Sequence, residues 1–168
     1  MTFSEEERLR TCCFTGHRPE KCHLSEREIR IRLKEEILKA VSKGYTDFIS
    51  GMAPGVDAWA AAEVLALRNE GHPLRLICAL PYPGFPSKGT ETERQWCAKI
   101  IREADVKEVI CPRYLPGCFL ARDRWMVDRS SLVIAVFNGS GGGTAFTVNY
   151  ANECGREVTV IEDRYSGL

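Results

Sequence analysis

Three glycine-bearing stretches of the 168-residue chain carry side chains suited to an anionic, hydroxyl-bearing ligand. The guanidinium of Arg18 can pair with a phosphate through its planar fork, and His17 can donate to an oxygen or titrate near neutral pH. Asp57 can accept a hydrogen bond from a ribose hydroxyl, and Thr144 and Thr147 can donate to phosphate oxygens. These side chains and the neighbouring glycines form the predicted ligand-binding set: Gly16, His17, Arg18, Gly51, Gly55, Asp57, Asn138, Gly142, Gly143, Thr144 and Thr147.

Several of these side chains have a purely structural alternative. Arg18 can pair with a surface carboxylate at little gain in stability, and His17 can close the turn that follows it. Asp57 stands near a predicted helix start, where a carboxylate commonly serves as an N-cap. Arg122 and Arg124 belong to a short predicted helix before the last glycine-rich loop, and they are additional candidates that reach the site from that helix.

The element best suited to position such a site lies at residues 132–155. Its first six residues, 132–137, are an uninterrupted apolar run, which is typical of a strand covered on both faces. Glycine then occupies four of the five positions 139–143, and a helical pattern begins at Thr144 and ends at Gly155. Glycines let a ligand approach the main chain, and the open N–H groups of a helix start attract anions. The alternative is a flexible turn that only joins the strand to the helix.

Two further strand, loop and helix units precede this one, and each of their strands ends at a glycine. Strands alternate with helices along the chain, which predicts an α/β fold with a mostly parallel sheet. In a doubly wound sheet of this kind, helices cover both faces, and the loops beside the reversal of strand order form one crevice. The predicted strands are 11–15, 47–50, 74–80, 106–111, 132–137 and 158–161, and capping boxes are predicted at Ser25–Glu28 and Thr90–Glu93.

Length and charge limit the class of protein. A chain of this size most often forms one domain, so we predict a single domain over residues 1–168, with an N-terminal extension at 1–10 and a tail at 162–168. The formal net charge is zero, which provides no general attraction to nucleic acid. The charged start and the lack of a long apolar run lead us to expect neither a signal peptide nor a membrane-spanning helix.

The eight cysteines favour a reducing compartment over a disulfide framework. Most of them fall in apolar patterns, as buried thiols do, and no pair has CxxC spacing. Cys22 and His23 are adjacent, which makes a poor half-site for zinc, so no metal site is predicted. We therefore expect a cytoplasmic protein. The cysteines in apolar patterns are Cys12, Cys13, Cys78, Cys97, Cys111 and Cys154.

Four segments together resemble the YpsA-like branch of the SLOG superfamily, which groups the Smf/DprA DNA-processing proteins with the LOG phosphoribohydrolases. They are FTGHRP (14–19), SGMAPGVDAWAAAE (50–63), WMVDRSSLVIAVFNG (125–139) and GGTAFTVNYA (142–151). The resemblance covers residues 11–161. It implies a Rossmann-like domain that binds or senses a nucleotide, NAD or a nucleotide-derived molecule such as ADP-ribose. SLOG relatives often pair, so a homodimer is compatible with it.

The chain departs from the LOG pattern at one position. LOG enzymes carry a GGxGTxxE-type loop whose glutamate helps to cleave an N-glycosidic bond, whereas Thr147 occupies that position here. A hydroxyl cannot act as a base or stabilise an oxocarbenium-like charge as a carboxylate does. Enzyme and binding module therefore stay alternatives, and no catalytic residue is predicted.

Residues 50–61 and 143–161 also resemble DprA, which binds single-stranded DNA. Such binding needs a basic groove with stacking aromatic side chains, and overall neutrality makes it the weaker prediction. The candidates for such a groove are Arg122, Arg124, Arg129, Tyr82 and Phe85. The rigid loop at 81–86 motivates a last alternative, an adaptor whose ligand state controls a protein partner.

Overall fold

The strands form one six-stranded sheet in which every neighbouring pair is parallel. The structure is a computed structural model, and it describes residues 3–165. The strands are β1 (Thr11–Gly16), β2 (Asp47–Ser50), β3 (Arg75–Leu80), β4 (Val106–Val109), β5 (Leu132–Phe137) and β6 (Glu157–Glu162). The sheet order is β4-β3-β2-β1-β5-β6, so the order reverses at β1, which lies between β2 and β5. The predicted α/β, Rossmann-like doubly wound fold is confirmed.

The helices are divided between the two faces of the sheet because alternate strand residues point to opposite faces. The helices are α1 (Glu5–Leu9), α2 (Glu26–Ser42), α3 (Val56–Asn69), α4 (Glu91–Glu103), α5 (Cys118–Asp128) and α6 (Gly143–Glu153), with a short 3-10 turn at Pro19–Lys21. In β1, Cys12 and Phe14 pack with α2, α3 and α4, whereas Cys13 packs with α5 and α6. Because both faces are covered, β1, β2 and β5 are buried along nearly their whole length.

Some boundaries differ from the predicted ones. The segment predicted as an N-terminal extension contains α1, which Ser4 and Glu7 close with a reciprocal capping box. The Thr90 box is also reciprocal, whereas the Ser25 side chain accepts from the Glu28 N–H without the return bond. The predicted fourth strand, 106–111, ends at Val109, which pairs with Leu80, the last residue of the neighbouring strand β3.

The segment predicted as a tail, 162–168, starts inside the fold. β6 continues to Glu162, and the Asp163 side chain is fully buried. Its carboxylate accepts hydrogen bonds from the main-chain N–H groups of His23 and Leu24 at 2.8–3.0 Å. This contact ties the end of the sheet to the loop between β1 and α2. Residues 166–168 lie outside the described part of the chain.

All eight cysteines are free thiols. Among those predicted to be buried, Cys12, Cys13, Cys78 and Cys97 are buried, whereas Cys111 and Cys154 are half-buried. Within residues 3–165, no helix is both long and apolar enough to span a bilayer.

Candidate functional site

A small polar cavity of about 240 Å³ opens beside the reversal of strand order, and we call it the polar cavity. The register of β1 and β5 places Gly16 opposite Val136, so the loops after these two strands start side by side. The α3 segment after β2 adds the third wall. The structure thus brings parts of all three predicted stretches together. The lining residues are Phe14, Thr15, Gly16, His17, Arg18, Lys21, Ala53, Asp57, Phe119, Arg122, Asp123, Gly141, Gly143 and Thr144.

Three of the predicted glycines are required by packing within the protein. A Cβ atom at Gly16 would lie 2.3 Å from a side-chain methyl of Val56. One at Gly51 would lie 2.6 Å from the Arg122 guanidinium. Gly55 has a φ of +102°, and a Cβ there would lie 2.8 Å from the carbonyl oxygen of His17. These glycines shape the walls of the polar cavity by allowing close contacts between its loops.

The glycine-rich loop before α6, in contrast, leaves space around its glycines. Gly142 is the N-cap residue of α6 and has a φ of +119°, and no side chain caps this helix. Within the described residues, the closest atom to a Cβ placed on Gly143 is Asp123 Oδ2, at 3.9 Å. The first turn of α6 therefore presents its N–H groups to the polar cavity without a side chain in front of them.

Two predicted ligand residues support the loops instead of lining the polar cavity. The Asn138 amide donates to Asp163 Oδ2 at 2.9 Å and to the Lys21 carbonyl at 3.0 Å. Thr147 is 1% exposed, and its hydroxyl donates to the Gly143 carbonyl at 2.9 Å. Both contacts brace the main chain on either side of the glycine-rich loop.

His17 acts as a hydrogen-bond acceptor in this arrangement. Its Nε2 accepts from the main-chain N–H of Asn138 at 3.3 Å, so the neutral imidazole is the form that fits. Burial lowers the pKa of His17, and the nearby Asp163 carboxylate opposes that change. The imidazole does not close its own turn, which was the structural alternative.

The structural alternatives for Arg18 and Asp57 are not adopted either. Among residues 3–165, no carboxylate forms an ion pair with Arg18. The N-cap of α3 is Gly55, with no side-chain capping bond, and within residues 3–165 the Asp57 carboxylate accepts only a long hydrogen bond of 3.4 Å from the Ala53 N–H. Both side chains line the polar cavity.

Arg122 lies at the floor of the polar cavity and connects α5 to the ends of β2 and β3. It is 5% exposed, and its Nη1 donates to the carbonyls of Gly51 and Ala79, the latter at 3.4 Å. Its Nε donates to Asp123 Oδ1 at 2.9 Å. A buried guanidinium needs such partners because removing it from water without them would cost several kcal/mol, on the order of the penalty for any buried ion.

Two carboxyl groups beside Arg122 hold protons more tightly than usual. Burial raises the pKa of Asp57 to about 6, and the charge of Arg122 only partly offsets the rise. Burial also raises the pKa of Asp123, against the lowering effect of Arg122. The polar cavity therefore contains one carboxyl group, that of Asp57, that can exchange a proton close to neutral pH.

Sequence reasoning noticed Arg122 but missed Asp123. One usable signal is the position of Arg122 one turn before Met126, since both are buried on the inner face of α5. That spacing identifies an arginine directed at the protein interior, which requires an acidic or carbonyl partner nearby. Its neighbour in sequence, Asp123, is such a partner.

An aromatic pocket of about 690 Å³ adjoins the polar cavity. Arg18, Lys21 and Phe119 line both spaces, so the two lie side by side. Its rings come from the loop after β3, from the segment before α5 and from the first turn of α5. Tyr82 and Phe85 were predicted as stacking residues, whereas Tyr114 and Phe119 were not. The lining residues are Arg18, Glu20, Lys21, Tyr82, Phe85, Pro86, Ser87, Lys88, Tyr114 and Phe119.

The chain matches known proteins over most of its length. The model of the YspA SLOG family matches residues 12–159. A UPF0398 protein of Listeria innocua is 26% identical over 66% of this chain and 61% of its own length. The uncharacterised SPbeta prophage-derived protein YoqJ of Bacillus subtilis is 27% identical over 73% of this chain and 82% of its own. The chain thus spans less than two thirds of the UPF0398 relative.

Solved structures share the fold at low sequence identity. DNA processing protein A of Helicobacter pylori, which binds single-stranded DNA, superposes with a TM-score of 0.65 and 16% identity. The match covers 96% of this chain and 68% of that protein. Likeness at this identity extends to the arrangement of helices and strands, and function has to be argued from the site itself.

Proposed function

The chain belongs to the YspA SLOG family, and from that premise we propose that it binds a nucleotide or a nucleotide-derived ligand in the polar cavity. The ligand's phosphate lies at the first turn of α6, and its ribose lies toward Asp57. One observation carries the proposal. The open start of α6, the unpaired Arg18 guanidinium and the buried Arg122 converge on a single cavity at the strand-order reversal.

The electrostatics of the polar cavity support an anionic ligand with hydroxyl groups. The N–H groups and the helix dipole of α6 favour negative charge, and Arg18 and Lys21 add two cations at the mouth. Asp57, when ionised, accepts hydrogen bonds only, which suits the hydroxyls of a ribose and disfavours a second phosphate beside it. The phosphate is therefore placed toward the N–H groups of α6, where the Asp123 carboxylate is neutralised by its ion pair with Arg122.

Binding can be tested by thermal unfolding and by calorimetry with AMP, ADP-ribose, NAD and ribose 5-phosphate. A ligand present at a hundred times its Kd should stabilise the protein by about 2.7 kcal/mol. Arg18→Ala should weaken phosphate-bearing ligands at least tenfold. Arg102→Ala, which removes an exposed arginine on α4, is the matched control and should change nothing. Absence of binding by every compound at millimolar concentration would contradict the proposal.

A second candidate function is hydrolysis of the N-glycosidic bond of the bound nucleotide, and the two carboxyl groups of the polar cavity favour it. Asp123 would take a proton from water as the water oxygen bonds to C1′ of the ribose. The bond from C1′ to the base nitrogen breaks, and protonated Asp57 gives its proton to the departing base. A carboxyl group with a pKa of about 6 suits this role of general acid.

Chromatography of the reaction mixture separates this candidate from simple binding. Turnover predicts free base and ribose 5-phosphate in equal amounts from AMP. Asp123→Asn should then abolish product formation while AMP still binds. Binding of AMP without any product in the wild type would leave the binding function alone.

A further inference from the structure

We propose that the aromatic pocket binds the planar base of the nucleotide whose ribose and phosphate occupy the polar cavity. This inference rests on the proposed function and names the part of the ligand that the polar cavity does not hold. It makes the site bipartite, with a polar end at α6 and an apolar end between the loop after β3 and the start of α5.

The polar cavity is smaller than the usual site for a small organic ligand. Sites for small organic ligands usually enclose about 300–1,000 Å³, and the polar cavity provides about 240 Å³. The aromatic pocket adds about 690 Å³ and shares three lining residues with the polar cavity. A nucleotide with its phosphate at α6 is therefore too large for the polar cavity alone. The neighbouring aromatic pocket offers room for the rest of the ligand.

The rings themselves form a rigid platform. Tyr82 makes edge-to-face contacts with Phe85, Tyr114 and Phe119, at centroid distances of 5.6, 5.5 and 6.1 Å. Its hydroxyl is held by the Ser87 hydroxyl at 2.6 Å. Arg122 lies 5.6 Å from the Phe85 ring and 6.0 Å from the Phe119 ring, which links the platform to the cavity floor.

Tyr114 leaves the largest apolar surface of this platform uncovered. It is 63% exposed, although the other three rings of the cluster are buried or half-buried. An exposed ring of this kind stacks against a nucleobase with little dependence on the identity of the base, because every base has a flat π face. The platform therefore suits the flat face of a planar base.

Charge at the rim fits a base that is attached to an anion. Arg18, Lys21 and Lys88 line the pocket together with a single carboxylate, Glu20. This excess of cations favours a phosphate-bearing ligand and disfavours a free cationic one. An oligonucleotide would need cations along several consecutive phosphates, whereas the chain as a whole has no net charge. A mononucleotide-sized ligand is the better match.

Calorimetry with ribose 5-phosphate and the four ribonucleoside monophosphates tests the inference. At least one monophosphate should bind about tenfold or more tighter than ribose 5-phosphate, because stacking contributes to its affinity. Tyr114→Ala should remove most of that advantage and leave ribose 5-phosphate unchanged. Tyr114→Phe should keep it, since the ring remains. Tyr165→Ala removes a tyrosine that is 51% exposed outside both pockets and should have no effect.

The outcomes separate the inference from the function on which it rests. Equal affinity of ribose 5-phosphate and all four monophosphates would overturn the aromatic pocket as a base site and leave the polar cavity as a phosphate site. Unchanged affinity of the monophosphates for the Tyr114→Ala variant would also overturn the aromatic pocket as a base site. No binding of any compound would overturn both proposals. Binding of an oligonucleotide that AMP does not displace would overturn the base site in favour of a single-stranded nucleic acid.

Discussion

The main-chain N–H of Asn138 donates to Nε2 of His17 at 3.3 Å, although the two residues are 121 positions apart. This bond joins the loops after β1 and β5 at the point where the strand order reverses. Asn138 is fixed in turn by Asp163, so the end of the chain's last strand holds the same junction. The junction depends on an unprotonated imidazole nitrogen, which makes it sensitive to pH.

The folded protein should lose stability when His17 becomes protonated. Because the folded protein lowers the pKa of His17 below its ordinary value of 6.5, the contribution of His17 to stability is complete above pH 6.5. It should be lost as the pH falls from 6.5 through the lowered pKa, where the folded state has to take up a proton. His17→Gln does not titrate. Urea unfolding from pH 5 to pH 8 should show the wild type losing stability relative to this variant on acidification, and a constant difference would contradict the prediction.

The effect of Asp57 on the free energy of unfolding should change with pH in the opposite direction to that of His17. Its pKa rises from 3.8 to about 6 on folding, so the folded state disfavours the carboxylate above pH 6 by up to about 3 kcal/mol. Asp57→Asn removes this cost and should raise the free energy of unfolding by about 1–2 kcal/mol at pH 8. The gain is smaller than the full cost because the buried amide brings N–H donors that need partners. The difference should vanish near pH 4.

Two further measurements make the Asp57 prediction specific. Glu70→Gln removes an exposed carboxylate at the end of α3 and should leave stability unchanged at every pH. The more stable Asp57→Asn variant should also bind a ribose-containing ligand more weakly, because an amide accepts fewer hydrogen bonds than a carboxylate. A variant that is destabilised at pH 8 would show that burial is not the dominant influence on Asp57.

Gly143 provides a way to fill the polar cavity without disturbing the fold. A Cβ at this position has Asp123 Oδ2 as its closest neighbour at 3.9 Å, and the backbone conformation needs no glycine. Gly143→Ala should therefore change stability by less than about 0.5 kcal/mol. It should weaken phosphate binding at least tenfold, because the methyl group stands before the N–H groups of α6. Unchanged affinity by calorimetry would place the ligand elsewhere.

Alanine at Gly16, unlike alanine at Gly143, should destabilise the fold. A Cβ there would lie 2.3 Å from Val56, and both residues are held by the sheet and α3, so the core has to shift. Gly16→Ala should reduce the free energy of unfolding by about 1–3 kcal/mol or more. Gly141→Ala, whose added Cβ meets nothing within 4 Å, is the matched control. Equal denaturation midpoints for the two variants would contradict the packing role of Gly16.

Local patterns were sufficient for the secondary structure around the polar cavity. β5 spans the predicted residues 132–137, and α6 starts at Gly143, one residue before the predicted start at Thr144. These elements were predictable because an apolar run followed by glycines and a helical period is a property of adjacent residues. α1 was missed, since a single capped turn of charged residues presents no apolar period.

The alternation of strands and helices was enough, by itself, to establish the parallel α/β sheet and the meeting of its glycine loops. The tertiary structure alone decided what each residue does there. Gly16 makes room for Val56, and Gly143 leaves space for a guest, yet both are glycines after a strand. Asp123 enters the polar cavity because α5 packs beside α6. A sequence pattern depends on residues that are neighbours along the chain. The chemistry of a cavity depends on distances between segments that only folding brings together.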